Sequence, residues 1–466
     1  MKKIIVILTV MAVILLTAWC SMTPGGSLPE HSRDNGDSTH ESTNNNRDNG
    51  NNAHESNREG THNDRDESAV SRDHEPGAAV LASIAVMDPD SFPQRIKARL
   101  GFDRTATDIV SDIRMGWVLG NTLDAHGNRQ GFPNLGGGVY ANTSVQELET
   151  GWGRPVTTPQ HFAAIRDAGF NAIRIPVTWY KACDPELNIR EDWMARVKEV
   201  VDYAVELDFY IVLNTHHDDV LFGLGDDVAE ESAAAIAKIW SQIATAFKDY
   251  DERLVFESLN EPRTIGSDNE WRGGTPEEHN NLNMLNQVFV DTVRSSGGNN
   301  ARRVLLVPTY AAAANETAQR AFVMPQDSVS DKLIVSLHYY EPWNFALRTG
   351  DGSVATWSVD NPDDTGAITW ALDLAYEIFI ANNIPVIMGE MGAINRDNLE
   401  ARVAWAEFYV SYARSKKIPC FWWDNGSYWV VRRQSWGWEQ TFGLLDRVNI
   451  EIAHPEIVAA LMRATE

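Results

Sequence analysis

Cysteine is scarce in this chain: Cys20, Cys183 and Cys420 are the three among 466 residues. No two stand at a metal-ligand spacing, which argues against a cysteine-built zinc site. Cys183 and Cys420 could pair only if the fold brought them together, and Cys420 lies in an apolar run that reads as a buried thiol. Positive charge is short as well. Lys and Arg number 40 against 65 Asp and Glu, for a net charge of −25. Such a surface repels nucleic-acid phosphates and anionic lipid, so no nucleic-acid partner is expected, and it suits a neutral substrate. Aromatic residues are missing from 21–80, where Asn, Asp, Ser, His, Arg and Gly dominate. That stretch cannot bury enough apolar surface to offset the entropy of ordering, and it predicts a disordered polar tether over 21–84. A short repeat supports this: Arg33-Asp34-Asn35-Gly36 returns as Arg47-Asp48-Asn49-Gly50.

What the chain does have begins at its first residues. Lys2 and Lys3 precede the apolar run Ile4–Leu16, the pattern of an export signal over 1–20. The run is short for a spanning helix, which needs about 20 residues. Cys20 closes it in a way that resembles a bacterial lipoprotein signal, with Trp19 where a small residue is usual. Acylation of Cys20 would tether the protein to a membrane. Cleavage elsewhere and retention as an uncleaved anchor are the alternatives. The expected localisation is secreted or cell-surface anchored, and the expected state is a monomer.

Residues 85–466 read as a single catalytic domain. Apolar runs without alternation recur at Met115–Leu123, Asn171–Val177, Tyr210–His217, Leu254–Pro262, Arg303–Thr309, Leu333–Tyr340, Ile384–Gly392 and Ile418–Gly426. Such runs fit parallel strands buried on both faces. Helical periodicity falls between them at Thr158–Ala168, Asp192–Leu207, Glu231–Phe247 and Asn280–Arg294. Eight strand–helix alternations predict an α/β fold of the closed (β/α)8 type, a TIM barrel. A doubly wound sheet, the alternative, needs no regular count of eight. The stretch Trp343–Asp373 reads as a long loop over the barrel mouth.

Polar residues collect at the C-terminal ends of these strands: Arg174, His216 and His217, Asn260 and Glu261, His338 and Tyr340, Glu390, and Trp422-Trp423-Asp424. In a β/α barrel that rim holds the active site. Glu261 and Glu390 belong to the fourth and seventh strands, which face each other across the mouth. Two carboxyl groups about 5–5.5 Å apart can cleave a glycoside with retention, one as nucleophile and one as acid/base. No metal or cofactor is called for.

The motifs GNTLDA (Gly120–Ala125), ETGWGRP (Glu149–Pro155), FNAIRIPVTW (Phe170–Trp179), NTHHD (Asn214–Asp218), SLNEPR (Ser258–Arg263), LHYYEPWNF (Leu337–Phe345), GEMGA (Gly389–Ala393) and FWWDNG (Phe421–Gly426) follow in order. Together they resemble glycoside hydrolase family five, in clan A, and within it the subfamily-four endo-β-1,4-glucanases. The resemblance implies Glu390 as nucleophile and Glu261 as acid/base. It implies Asn260 as the partner of the sugar 2-hydroxyl, Arg174 and Tyr340 as the groups that hold Glu390, and His216 and His338 as the floor. One of Trp422 and Trp423 becomes the platform beneath the sugar, with Trp423 preferred. His217, Asn121, Asn425 and Trp152 become further sugar contacts. Nearby Arg174 should favour an ionised Glu390, and a neighbouring carboxylate should favour a protonated Glu261.

The implied substrate is a β-glucan: cellulose, mixed-linkage glucan or xyloglucan. A mannanase or xylanase of the same family is the first alternative, and an inactive glycan-binding surface protein the second. Tryptophan is plentiful, 16 in all, and Trp152, Trp179, Trp343, Trp357 and Trp429 fall in predicted loops as subsite candidates.

Overall fold

The computed structural model describes residues 102–126, 143–434 and 437–466. The leader with Cys20, the polar tether and the start of the expected catalytic domain lie outside the described residues. Eight parallel strands close into a barrel in sequence order: β1 Met115–Leu119, β2 Ala172–Ile175, β3 Tyr210–Asn214, β4 Leu254–Glu257, β5 Leu305–Ala313, β6 Leu333–His338, β7 Val386–Met391 and β8 Cys420–Asp424. β8 pairs back onto β1, which closes the ring and removes any free edge. Seven of the eight apolar runs seen in the sequence contain one of these strands, and the eighth, Arg303–Thr309, holds the start of β5, which runs on to Ala313.

Helices α1 Ala106–Asp112, α2 Val145–Glu149, α3 Pro159–Asp167, α4 Glu191–Glu206, α5 Ala229–Ala246 and α6 Pro276–Ser295 occupy the first half. In the second half are α7 Glu316–Ala321, α8 Trp343–Ala346, α9 Pro362–Ile378, α10 Leu399–Ser415 and α11 Pro455–Arg463. α6 shows how local sequence sets an end. Thr275 accepts from the Glu278 amide, the Glu278 carboxylate returns to the Thr275 amide, and Pro276 opens the first turn. Among the described residues no helix is long and apolar enough to cross a membrane. Cys183 and Cys420 are both buried free thiols.

The stretch Trp343–Asp373 is not the continuous loop expected. It contains α8 and the first two turns and more of α9. Asn361 caps α9 through the Asp363 amide and Pro362 takes its first position, start signals hidden in a polar stretch.

Side chains inside the barrel alternate along each strand. The lower layer is apolar: Val118, Ala172, Val212, Val255, Leu306, Ile334, Ile387 and Phe421, sealed from below by Ile109, Val110 and Ile113 around α1. One step up, towards the C-terminal rim, the inward positions become Arg174, Asn214, Glu257, Ser336 and Trp423. The period of two that fills the core therefore also aims the polar residues into the mouth.

Candidate active site

Arg174 sits at the centre of the site and is fully buried. Its Nε donates to Glu257 Oε2 at 2.7 Å, one terminal nitrogen to Glu390 Oε1 at 2.7 Å, and the other to Asn260 Oδ1 at 2.8 Å. The rigid guanidinium fork thus ties β2 to β4 and β7. Glu257 also accepts from Ser336 Oγ at 2.7 Å and Asn214 Nδ2 at 3.0 Å. This buried carboxylate is saturated and holds the arginine in place. Sequence reasoning missed Glu257, Ser336 and Asn214 as parts of the site.

Glu390 is 5% exposed and opens to the cleft. Its second oxygen accepts from the Tyr340 hydroxyl at 2.8 Å. Glu261 approaches from the loop that follows β4, with its Oε1 2.9 Å from His338 Nδ1. The same nitrogen is 3.8 Å from Glu390 Oε2, and a ligand oxygen of each glutamate lies within 4.8 Å of the other. That separation matches the close pair of a double-displacement glycosidase and is too short to seat a water between two carboxylates. Local strand irregularity makes the arrangement. Pairing between β6 and β7 shifts register between Leu337 and His338, so that His338 faces Glu390. Gly389 permits the approach, because a Cβ there would come within 3.0 Å of His338 Nε2 and Ser336 Oγ.

Burial is the largest influence on both carboxyls. In Glu390 it prevails: the group sits above its ordinary range, with the Glu261 charge adding to the rise and His338, Arg174 and Tyr340 opposing it. In Glu261 the hydrogen bond and field of His338, then Arg263 and Arg174, outweigh burial and hold the carboxyl low. These directions run opposite to the sequence expectation, because His338 Nδ1 lies at 2.9 Å from Glu261 and only 3.8 Å from Glu390. The two carboxyls are close enough to titrate as one system. The fixed donors remain unequal: Glu390 holds one cationic and one hydroxyl hydrogen bond, and Glu261 neither. Tyr340 is raised well above its ordinary range by burial and by Glu390, so it stays a donor. Tyr340→Phe should lower kcat/KM by about 10- to 100-fold, the loss of one hydrogen bond to a charged group. It should also move the acidic limb to higher pH, because an anion that loses a donor binds its proton more tightly. A pH–rate profile checks both.

Trp423 is half-buried and points into the barrel mouth, with its ring parallel to His216 at 5.7 Å between centroids. Gly120 lies beneath it, where a Cβ would approach the indole to 2.7 Å. His216 is pushed well below its ordinary pKa by burial and by His217, Arg174, His338 and His126, so it is neutral. Trp422 does not share this position. It is fully buried on the outer face of β8, edge-on to Trp405, with its Nε1 donating to the Phe442 carbonyl. Alternation along the strand separates the two neighbours, and Trp422 is part of the core.

His217 joins the same wall as His216. β3 ends at Asn214, so strand alternation no longer applies, and the two rings meet at 4.4 Å. His126 and Trp152 pack on His217 at 4.7 and 5.5 Å. Asn121, at φ 60°, turns the chain above this wall. Asn425 does not reach the cleft as a free group. Its Nδ2 donates to the Gln440 carbonyl, and its Oδ1 accepts from the Ser427 and Phe442 amides. It folds the loop after β8. Trp179 and Trp357 are also buried, with indole nitrogens donating to the carbonyls of Asn214 and Asp364. Trp429 is flanked by the Arg154 and Arg432 guanidinium groups at 5.6 and 5.3 Å, while Trp343 is 47% exposed at the rim.

Among the described residues, two groups of side chains place metal-ligating atoms within 4.8 Å of one another: Glu261 with His338 and Glu390, and Asp124 with His216 and His217. In the first, Arg174 and Tyr340 already occupy the Glu390 oxygens. In the second, both Asp124 oxygens accept backbone amides, from Asn121 and Thr122, and the buried Lys181 ammonium lies in electrostatic reach. Neither set presents an uncommitted group of anionic ligands.

Burial behind this wall links folding to pH. Asp218 Oδ1 accepts the Trp179 and Tyr180 amides, while its Oδ2 is buried without a partner among the described residues. Burial pushes Asp218 from 3.8 to about 7 and Asp124 to about 6. Both folded values lie above the unfolded ones, so the folded chain holds protons the unfolded chain has released, and stability falls as pH rises from about 4 to about 7. Lys181, lowered by burial from 10.5 to about 7, reverses the trend only above that. Thermal melts at pH 5 and pH 7 should show the drop. Asp218→Asn should flatten it, because its carbonyl can keep both amide bonds.

Comparison with known proteins identifies the family. A family model described as "Cellulase (glycosyl hydrolase family 5)" matches residues 136–428. The chain belongs to glycoside hydrolase family 5. Within that family it is 41% identical to Endoglucanase A of Clostridium longisporum over 77% of this chain and 66% of that one. It superposes with TM-score 0.71 and 40% identity on a GH5-4 broad specificity endoglucanase from Ruminococcus champanellensis with bound cellotriose, covering 77% of this chain and 99% of the other. A GH5 xyloglucan-specific endo-β-1,4-glucanase from a metagenomic library, XEG5A, also in complex with cellotriose, gives TM-score 0.69 and 39% identity. The match covers 80% of this family-5 chain and 99% of that structure.

Proposed function

We propose that this family-5 chain is a retaining endo-β-1,4-glucanase that cleaves the backbone of β-linked glucans by double displacement. The observation that carries the proposal is the carboxyl pair. Glu390 is held by Arg174 and Tyr340 in line to attack, and Glu261 stands within 4.8 Å of it on the opposite wall. Glu390 attacks the anomeric carbon as Glu261 protonates the departing oxygen. Glu261 then takes a proton from water, which releases the sugar with its original configuration. Asn260, fixed by Arg174, faces the 2-hydroxyl, and Trp423 supports the sugar from below. His217, Asn121 and Trp152 extend the wall that receives the glycone.

The glucan assignment draws on the endoglucanase relatives and on the cellotriose bound to two of the similar structures. Reducing-sugar release by the full chain on carboxymethylcellulose, barley mixed-linkage glucan, xyloglucan, mannan and xylan tests it, with Glu390→Ala alongside. Activity on the glucans that disappears in the variant is expected. Activity on mannan or xylan alone would replace the substrate. A folded protein inactive on all five would make it a glycan-binding protein.

We further propose that the chain is exported and acts as a monomer, and that Cys20 anchors it to a membrane. The basic and apolar leader ending at Cys20 supports the export and the anchor. Cys20→Ala should move the protein from the membrane fraction to the soluble fraction. Unchanged partition would remove the tether.

A further inference from the structure

We infer that Arg402, near the start of α10, binds a small monovalent anion, chloride or one of its size, in the interior behind the loop that follows β7. The inference is independent of the reaction assigned to the cleft. Among the described residues four arginines are buried: Arg174, Arg303, Arg402 and Arg447. Three of them have their terminal nitrogens matched. Arg174 serves Glu257, Glu390 and Asn260. Arg303 donates from Nε to Asn300 Oδ1 and from its terminal nitrogens to the carbonyls of Asp251, Leu254, Phe247 and Tyr250. Arg447 directs its terminal nitrogens to the Gly120 carbonyl and to Asp424. Arg402 is the exception. Its side chain makes one hydrogen bond, from Nε to the Ala393 carbonyl at 3.0 Å. Neither terminal nitrogen has a hydrogen-bond partner among the described residues, although the side chain is fully buried.

Charge sharpens the imbalance. Burial pushes Arg402 from 12.5 down to about 9 and nearby Arg396 adds to the fall, with no carboxylate of the described residues opposing it. Arg396 brings no acid of its own. Burial lowers it to about 10, and its terminal nitrogens go to the neutral carbonyls of Phe345, Ile394 and Arg348. His454, just before α11, is lowered by burial and by Arg402, and its Nε2 meets the Tyr428 carbonyl. In a chain with 65 acidic residues against 40 basic ones, two arginines thus lie together in the interior without an acid. A buried cation is tolerated when an opposite charge and hydrogen bonds accompany it. The two terminal nitrogens of a guanidinium present parallel N–H groups along one edge, and a single spherical ion can accept both. One negative charge balances Arg402, whereas a divalent oxyanion would bring excess charge inside. The place has a structural consequence. Ala393 lies three residues beyond Glu390. The next two amides, of Ile394 and Asn395, donate to the Ala346 and Thr441 carbonyls. An anion on Arg402 therefore braces the junction of β7, α8 and the loop after β8.

The test is a titration of the full chain with sodium chloride, exchanged against sodium gluconate at constant ionic strength, with the thermal midpoint as readout. The midpoint should rise and saturate, gaining on the order of 5 °C at about 100 times the half-saturating chloride concentration. Sodium bromide should act in the same way, and a crystal soaked in it should show an anomalous peak in hydrogen-bond reach of both Arg402 terminal nitrogens. In Arg402→Met, which removes the cation and keeps an apolar side chain of similar length, the chloride dependence should vanish. Arg402→Lys should keep a weaker one, because a point charge replaces the fork. Should Arg402→Met fail to fold, the titration of the parent and the bromide crystal still decide. A parent midpoint indifferent to chloride would overturn the inference, even with a bromide peak at the concentration of the soak. So would water rather than bromide at the terminal nitrogens, or a chloride response in Arg402→Met equal to that of the parent.

Discussion

Replacing Glu390 by Ala should reduce kcat on soluble β-glucan by several orders of magnitude, on the order of 10⁴-fold, because no other group is placed to attack the anomeric carbon. Glu261→Ala should be as damaging on a glucan, whose departing alkoxide needs a proton. It should be much milder on an aryl cellobioside whose leaving group departs unaided. The two variants also differ in what rescues them. Azide can enter the space left by the Glu390 carboxylate and displace the leaving group directly, giving an α-glycosyl azide. In Glu261→Ala the covalent intermediate still forms, and azide intercepts it from the opposite face to give the β product. The anomer recovered from each variant therefore identifies nucleophile and acid/base separately. The same anomer from both, or rescue of neither on an activated substrate, would contradict the roles given to this pair.

Arg174→Met should damage folding and catalysis together. The arginine is fully buried and pairs with Glu257 and Glu390, whose side chains are 0% and 7% exposed. Removing one partner of a buried ion pair leaves charge that water cannot reach, at a cost of about 3–5 kcal/mol. Glu257 keeps Ser336 and Asn214, but Glu390 keeps only Tyr340 and stays protonated to higher pH. The deficit has a sign that can be checked. Glu390 is already raised by burial, and without the Arg174 cation its folded pKa rises further above the unfolded one. The loss of stability is therefore greatest at neutral pH and shrinks as pH falls and Glu390 takes up its proton. Guanidinium melts at pH 5 and pH 7.5 should show the smaller difference from the parent at pH 5. Equal deficits would mean that the effect is packing rather than charge.

The features legible in the sequence were those written in residue type along continuous stretches. Parallel strands buried on both faces produce apolar runs, and each of the eight was visible, as was the collection of polar residues at their ends. Register was not legible. Trp422 and Trp423 are equivalent as letters, and only the inward turn of Phe421 and Trp423 separates a core residue from a cleft residue. His216 and His217 share one wall for the related reason that β3 stops two residues earlier. Glu257 lay immediately before SLNEP, where a charge inside an apolar run carries no marker of its three buried partners. Asn425 sits in a motif shared with the family, yet its hydrogen bonds go to the backbone.

The most direct test of the account is the configuration of the first product. Proton NMR of cellotetraose hydrolysis, recorded before mutarotation, distinguishes the two anomers of the new reducing end. The closeness of Glu261 and Glu390 and the donors on Glu390 predict the β-anomer first, with the α-anomer growing in only at the rate of mutarotation. Initial appearance of the α-anomer would mean a single displacement by water, and would contradict the assignment of Glu390 as nucleophile.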